Sequence, residues 1–214
     1  DDTNSSSDVF VYDRVNGVTS RVSVNSQGGE ANGDSLRPRI SADGRFISFY
    51  STASNLTGED SLRKSHMGEH DGIYLYDRIT GSTHLLTLAL DKQWPDQPLN
   101  PDFDMSADAS VIVFSSIAKN LTEYWPGLCK DNGSESSCFW RNTENIFRYD
   151  RLTGHMTLLS IESSGFPLDS NSIEPSVSAD GEHIVFSVGD DEVGYEGINS
   201  NQLYLSRTMV LGST

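Results

Sequence analysis

The sequence predicts an all-β fold: a β-propeller of four-stranded antiparallel blades, with about 3.5 blades in this chain. A nine-residue phrase recurs at 9–17, 73–81 and 146–154, and a second phrase, built on Ser-Ala-Asp at 41, 106 and 178, keeps step with it. Repeats in a fixed order indicate one supersecondary unit that is stacked several times. Each phrase is an apolar run of five or six residues that ends in turn residues, which is the pattern of a β-strand.

Each unit contains four strands, which we label a to d. Strand a ends in Ser-Ala-Asp-Gly, a tight turn in which Asp caps the backbone and Gly accepts a positive φ. Strand b follows, then a long connection, then strand c, which ends in the tight turn Asp-Arg-x-x-Gly, and then strand d. One domain, 1–214, is expected, and a final strand d is expected within 208–214. Its blade parts are 8–24, 38–88, 101–161 and 175–214.

The long connections all leave from one end of the blades. The Tyr-Asp-Arg triplets begin at 12, 76 and 149, so they lie 64 and 73 residues apart, against about 40–45 residues for a compact blade. The extra length falls in the b–c and d–a connections, which a meander places at the same end. One face of the propeller is therefore a tight-turn face and the other a loop face. Because binding residues concentrate on loops held by a rigid scaffold, the loop face is the predicted functional face.

These phrases resemble the repeats of TolB-like, PD40-type β-propellers of bacterial envelope and secreted proteins. The phrase Pro-x-x-Ser-x-Asp-Gly-x-x-x-x-Phe stands at 38–49 and 175–186, and the resemblance covers nearly the whole chain. The chain departs from the repeat at Ala109, where Gly is expected, and at Ser206, where Tyr is expected. The resemblance implies the fold and a secreted or periplasmic, cell-envelope location. Relatives of this kind include protein-binding scaffolds, sugar-binding modules and propeller domains attached to peptidases.

The charge balance limits the partners that the chain can have. With 31 acidic against 15 basic residues, the formal net charge is −16. Such a surface repels phosphate backbones and anionic lipid, so no nucleic-acid partner is expected, and cations or basic partners are favoured. There is no run of 18 apolar residues, so no membrane span is expected.

The two cysteines, Cys129 and Cys138, lie in one polar loop. A disulfide that staples this loop is the leading interpretation, and two free thiols or a metal-binding pair are the alternatives. A disulfide would place the protein outside the cytoplasm.

The acidic loop segments are candidate Ca²⁺ sites, because Ca²⁺ takes six to eight oxygen ligands on a bendable loop. Residues 1–8 resemble the Asp- and Asn-rich loop that precedes strand c in many such repeats, and acidic residues recur at equivalent places in the other blades. A solvated acidic loop is the alternative. The predicted ligands are Asp2, Asn4, Asp8, Asp60, Asp71, Asp190 and Asp191.

The tryptophans all fall in long connections and none in a strand. Aromatic rings placed there either pack beneath the loop or form a platform for a carbohydrate or protein ligand. The candidate ligand-binding residues are Trp94, Tyr124, Trp125, Trp140 and Tyr195. Asn55 and Asn120 begin Asn-x-Thr sequons, but they occupy the same position of successive blades, so the repeat explains them without glycans.

No catalytic motif accompanies these residues. Gly-x-Ser-x-Gly and His-Glu-x-x-His are absent from the sequence, and its five histidines are scattered. The predicted function is therefore a non-enzymatic propeller that binds a protein or carbohydrate ligand through its loop face, with Ca²⁺ as a stabilising ion. Two alternatives remain open: a structural subunit that forms homo-oligomers, a ring or a filament, through open blade edges, and a propeller domain of a larger enzyme.

Overall fold

The computed structural model describes residues 3–58, 71–89, 92, 94–122, 143–161, 167–168 and 170–189, and the backbone of 202–207. Thirteen β-strands run through these residues. Among them there is no helix long and apolar enough to cross a membrane.

The strands form four antiparallel sheets, which confirms the predicted blades. Blade 1 has β1 (Phe10–Asp13) and β2 (Val18–Arg21), which correspond to strands c and d. Blade 2 has β3 (Ser35–Ile40), β4 (Phe46–Ser51), β5 (Gly72–Asp77) and β6 (Ser82–Leu85), paired in that order. Blade 3 has β7 (Leu99–Met105), β8 (Val111–Ser116), β9 (Asn145–Asp150) and β10 (His155–Leu158), also in chain order. Blade 4 has β11 (Asn171–Val177), β12 (His183–Gly189) and β13 (Gln202–Arg207) as strands a to c. The expected final strand d, in 208–214, lies outside the described residues.

The tight turns form as their sequences predict. In the a–b turn of blade 2, Oδ1 of Asp43 accepts hydrogen bonds from Oγ of Ser41 (2.5 Å) and from the amide of Arg45 (3.0 Å), and Gly44 has φ +71°. Ala109, which replaces Gly in blade 3, adopts the same left-handed conformation, with φ +57°.

The c–d turns use a second Asp cap. Asp77 accepts a hydrogen bond from the amide of Ile79 at 2.9 Å, and Gly81, which closes the turn, has φ +70°. In blade 2, the Arg of this turn connects two turns and two blades. The Arg78 guanidinium donates to the carbonyl of Gly44 at 2.9 Å and lies 3.8 Å from the carboxylate of Asp13 in blade 1.

The hydrophobic core consists of layers between successive blades. Within blade 2, the rings of Phe49 and Tyr74 stack with centroids 5.9 Å apart, and they pack against Val9 and Val22 of blade 1. The same arrangement recurs in the next layer, where stacked Phe114 and Phe147 of blade 3 pack against blade 2. Each layer thus mixes aliphatic and aromatic side chains from two neighbouring blades.

The three strands of type a lie side by side as the innermost layer. The amide of Ala42 donates to the carbonyl of Ala107 (2.7 Å), and the amide of Ala107 donates to the carbonyl of Ala179 (2.9 Å), so the Ser-Ala-Asp turns are joined from blade to blade. Strands β3, β7 and β11 are therefore neighbours from blade to blade, and side chains of successive strands can meet.

Candidate functional site

On the loop face, hydrogen bonds join the end of each d–a connection to the start of the b–c connection that follows it. Asn32, in a d–a connection, donates its amide to Oδ1 of Asn55 at 3.0 Å and accepts the amide of Ser54 at 2.6 Å. Nδ2 of Asn55 donates to the carbonyl of Glu30 at 2.7 Å. These bonds fix the start of the b–c connection against the end of the preceding d–a connection.

The next blade repeats this clamp. The amide of Asp96 donates to Oδ1 of Asn120 at 3.0 Å, Asp96 accepts the amide of Lys119 at 2.7 Å, and Nδ2 of Asn120 donates to the carbonyl of Trp94 at 3.0 Å. The side-chain nitrogens of Asn55 and Asn120, to which a glycan would be attached, are thus both engaged in the scaffold. This agrees with the interpretation that the repeat itself requires these residues.

A buried hydroxyl fixes the first residue of strand c. Ser23 accepts the amide of Val9 at 3.1 Å and donates to Asp8 at 2.6 Å. In blade 3, Ser160 accepts the amide of Ile146 (3.1 Å) and donates to Asn145 (2.9 Å), and in blade 2 Thr87 accepts the amide of Ile73 (3.2 Å). Asp8 and Asn145, which occupy the same position of their blades, are therefore part of the scaffold.

This assignment bears on the predicted Ca²⁺ ligands Asn4 and Asp8. The structure brings the two together, but Nδ2 of Asn4 donates to Asp8 at 3.2 Å and Oδ1 of Asn4 accepts the amide of Ser6 at 2.8 Å. The carboxylate of Asp8 also faces the guanidinium of Arg21 at 3.4 Å, and its side chain is 1% exposed. Protein donors and the Arg21 guanidinium thus already contact the side-chain oxygens of Asn4 and Asp8.

Asp71 also has protein hydrogen-bond donors as partners. It is 7% exposed and accepts hydrogen bonds from the hydroxyl of Tyr50 and, at 3.0 Å, from the amide of Leu99 at the start of the next blade. It therefore links blade 2 to blade 3. The other predicted ligands, Asp2, Asp60, Asp190 and Asp191, lie outside the described residues, as do Cys129 and Cys138.

Among the aromatic candidates, Trp94 is a packing residue. It is 7% exposed and lies in the cluster between blades 1 and 2, with Leu56 and Phe49. The ring of Trp94 is therefore buried among core side chains and is not presented as an exposed platform in this structure. Tyr124, Trp125, Trp140 and Tyr195 lie outside the described residues.

Sequence reasoning missed a charged ladder on the innermost strands, which we call the axial ladder: Arg37 and Arg39 on β3, Asp102 and Asp104 on β7, and Glu174 and Ser176 on β11. Arg37 pairs with Asp102, and Nε of Arg39 lies 3.2 Å from Oδ1 of Asp104. Oδ2 of Asp104 in turn accepts hydrogen bonds from Oγ of Ser176 (2.9 Å) and the amide of Val177 (3.1 Å).

The axial ladder is accessible from solvent. The side chains of Arg37 and Arg39 are 51% and 45% exposed, and those of Asp102 and Asp104 are 35% and 22% exposed. Arg37 and Glu174 sit at register shifts in their strands with φ +52° and +55°, a conformation that non-glycine residues seldom adopt and that concentrates at functional sites. The sequence does contain a signal for this ladder: charged residues stand at every second position of predicted core strands.

A second group lies on the tight-turn face. Ligand atoms of Asp180, Glu182 and His183 lie within 4.8 Å of one another, and the two carboxylates are exposed. Asp180 mainly caps its turn: hydrogen bonds from the Ser178 hydroxyl and the Glu182 amide lower its pKa. The group offers two carboxylate oxygens and one imidazole nitrogen to a metal ion. Both carboxylates face solvent, however, and that of Asp180 already accepts the hydrogen bonds of its turn.

Comparison with solved structures supports the propeller fold. The tricorn protease superposes with a TM-score of 0.50 at 14% identity over 94% of this chain. TolB from Acinetobacter baumannii gives 0.43 at 16% identity over 92% of the chain, and oligogalacturonate lyase in complex with manganese gives 0.46 at 15% identity over 92%. At such identities the likeness shows the fold alone. The predicted propeller fold is confirmed at that level by the match to the tricorn protease.

The chain spans a minor part of these proteins: 15% of the tricorn protease, 34% of TolB and 40% of the lyase. No protein-family model matches the sequence, and no curated protein matches it.

Proposed function

We propose that the chain is a non-catalytic propeller module of the cell envelope or the secreted space that binds a partner through its loop face. The observation that carries the proposal is the repeated clamp of Asn32 with Asn55 and of Asp96 with Asn120. Rigid anchoring lowers the entropy that a loop loses when it binds a ligand.

The features of the described residues favour a protein partner over a carbohydrate. The axial ladder starts two residues from the loop-face end of β3 and offers exposed charges of both signs. Trp94, the one candidate platform ring among these residues, is buried. The net charge of −16 favours a partner whose contact surface is basic, because complementary charge raises the rate of encounter.

Calcium remains a proposal for the segments that contain Asp2, Asp60, Asp190 and Asp191. Ca²⁺ bound there would screen the acidic charge and order the long connections above the clamps. Ions that bind the folded state alone stabilise it by mass action.

The test uses a variant in which a short Gly-Ser linker replaces residues 123–142, between the clamp at Asn120 and β9. Labelled chain is presented to a glycan array and to a peptide array with equal numbers of basic, neutral and acidic sequences. We expect binding to basic peptides that falls at least about tenfold in the shortened variant. Val15→Ser, on the tight-turn face, is the control and should bind as the parent does. Binding confined to glycans, or equal binding by the shortened variant, would contradict the proposal.

A further inference from the structure

Six pairs of Asn or Asp followed by Gly occur in the sequence, and such pairs can modify themselves. The main-chain nitrogen of the Gly attacks the side-chain carbonyl carbon of the preceding residue and closes a five-membered succinimide ring. Glycine favours this reaction because it has no side chain to obstruct the attack. Five of the pairs lie in the described residues: Asn16-Gly17, Asn32-Gly33, Asp43-Gly44, Asp71-Gly72 and Asp180-Gly181.

The three Asp-Gly pairs are protected by ionisation or by burial. An aspartate must be protonated before its carboxyl group can lose water and form the ring. Hydrogen bonds from the turn, chiefly from its serine hydroxyl, lower the pKa of Asp43 and that of Asp180, so the protonated form of each is rare at neutral pH. Asp71 is 7% exposed and accepts the amide of Leu99 at 3.0 Å. We therefore expect all three pairs to react slowly.

The pair Asn32-Gly33 is held by the clamp on the loop face. Nδ2 of Asn32 donates to the hydroxyl of Ser54 at 2.8 Å, and its Oδ1 accepts the amide of Ser54 at 2.6 Å. The main chain of Gly33 is packed closely, since a Cβ placed on it would lie 2.9 Å from the amide nitrogen of Ala53. Ring closure at Asn32 must break both side-chain hydrogen bonds and displace this main chain.

The pair Asn16-Gly17 is the accessible one. It lies in the c–d turn of blade 1, where Asn16 is exposed and a Cβ placed on Gly17 would meet no atom within 4 Å. The Gly17 amide donates to the carbonyl of Asp13 at 2.8 Å, and this bond has to open before the nitrogen can attack. Opening an exposed turn costs less than opening a packed segment, because few buried contacts are lost.

The other blades show that this turn does not need an asparagine. The residue at the position of Asn16 is Thr80 in blade 2 and Thr153 in blade 3. The amide of Thr153 donates to Oδ1 of Asp150 at 3.0 Å, as the amide of Asn16 donates to Oδ1 of Asp13 at 3.1 Å. Threonine cannot form a succinimide, so among the described c–d turns only that of blade 1 has a reactive residue here.

We propose that Asn16 is a site of spontaneous deamidation, which changes the charge and the geometry of blade 1. The nitrogen of Gly17 forms a bond to Cγ of Asn16, and the bond between Cγ and Nδ2 breaks. The amide proton of Gly17 leaves with the NH₂ group as ammonia. Water then opens the ring at one carbonyl to give aspartate, or at the other to give isoaspartate.

Either product weakens the turn. Nδ2 of Asn16, which donates to Oδ2 of Asp13 at 2.9 Å, is replaced by an ionised oxygen. Hydrogen bonds from Asn16 are the main cause of the lowered pKa of Asp13, so this pKa rises in the product. The Asp13 carboxylate lies 3.8 Å from the guanidinium of Arg78, so the change adjoins the contact between blades 1 and 2. Isoaspartate also adds one carbon to the main chain of the β1–β2 hairpin.

The test follows the full chain during incubation at neutral pH. Trypsin then releases residues 15–21, in which Asn16 is the only amide side chain, and residues 22–39, which contain Asn32. Mass spectrometry measures the mass gain of deamidation in each peptide, and an isoaspartyl methyltransferase labels the isoaspartate. We expect Asn16 to react at least about tenfold faster than Asn32 in the folded chain, because two side-chain hydrogen bonds hold Asn32. In urea the two rates should become similar.

Asn16→Thr is the matched control, because the other blades carry Thr at this position. It should melt at the temperature of the fresh parent and keep that temperature during incubation, whereas the parent should melt at a lower temperature as Asn16 is converted. Any reaction elsewhere in the chain is common to both proteins, so the difference between them reports Asn16 alone.

Three outcomes would overturn the proposal. The first is a rate at Asn16 in the folded chain that is no higher than the rate at Asn32. The second is a rate ratio that persists in urea, which would assign the difference to the flanking sequence rather than to the structure. The third is an incubated parent, with Asn16 converted, that melts at the same temperature as the incubated Asn16→Thr chain.

Discussion

The ion pair between Arg45 and Asp77 gives blade 2 a defined response to acid. Nε and Nη2 of Arg45 donate to the two carboxylate oxygens of Asp77 at 3.0 and 2.7 Å, and the Asp77 side chain is 9% exposed. The hydrogen bonds from Arg45 and from the Ile79 amide lower the pKa of Asp77 from 3.8 to about 2. Such a shift corresponds to about 2 kcal/mol in the free energy of unfolding. Because the Arg45 side chain is 38% exposed, solvent screening reduces our expectation to about 1–2 kcal/mol.

The sign of the effect follows from the lowered pKa. The contribution of Asp77 is complete above its unfolded pKa of 3.8 and is lost as the pH falls toward 2. Urea unfolding at pH 7 and at pH 2 measures it. Asp77→Asn should lower the free energy of unfolding by about 1–2 kcal/mol at pH 7 and by much less at pH 2. Arg45→Met, which removes the partner, should show the same pH dependence. An equal loss at both pH values would refute the reasoning.

Four further predictions concern the loop face. Asn120→Ala should lower the free energy of unfolding by about 0.5–1.5 kcal/mol in urea titrations, because the Asp96 amide and the Trp94 carbonyl lose their hydrogen-bond partner, and a loss near zero would contradict the clamp. Thiol titration of unfolded, unreduced protein should find no free thiol if Cys129 and Cys138 form a disulfide, and two thiols would disprove it. Millimolar Ca²⁺ should raise the melting temperature relative to chelator, with a smaller gain in Asp60→Ala. Asp8→Ala should instead lower the melting temperature equally with and without Ca²⁺, and an effect confined to Ca²⁺ would contradict its scaffold role.

The strands and tight turns could be predicted because each is dictated by a few adjacent residues. Asp77 and Gly81 determine their turn through a hydrogen bond and a positive φ within five residues. The phrase also occurs in three copies, so the strand pattern can be recognised even where one copy is irregular. Ala109 shows the strength of this constraint, since the turn keeps its left-handed geometry without glycine.

The site residues were harder to predict because their partners lie far away in sequence. Asp8 has the spacing of a loop ligand, yet Arg21 and Ser23, which satisfy it, lie across a hairpin whose register the sequence does not reveal. Trp94 falls outside every strand, and only the packing of blade 1 on blade 2 explains its burial. The pair of Arg39 with Asp104 spans 65 residues and depends on the contact between two blades.

Comparison between blades separates residues that the scaffold needs from residues that it leaves free. Ala42, Ala107 and Ala179 are identical, and they stand where main-chain hydrogen bonds join one turn to the next. Five residues before them on the same strands, the residues are Arg37, Asp102 and Glu174, which differ in charge and in length. The opposite charges of Arg37 and Asp102 join two blades, because their side chains form an ion pair. Arg37 and Glu174 share a left-handed backbone, and both stand at a register shift at the same position of blades 2 and 4. The backbone at this position therefore belongs to the blade geometry, whereas the side chain follows its local partner: Asp102 for Arg37 and the hydroxyl of Ser187 for Glu174.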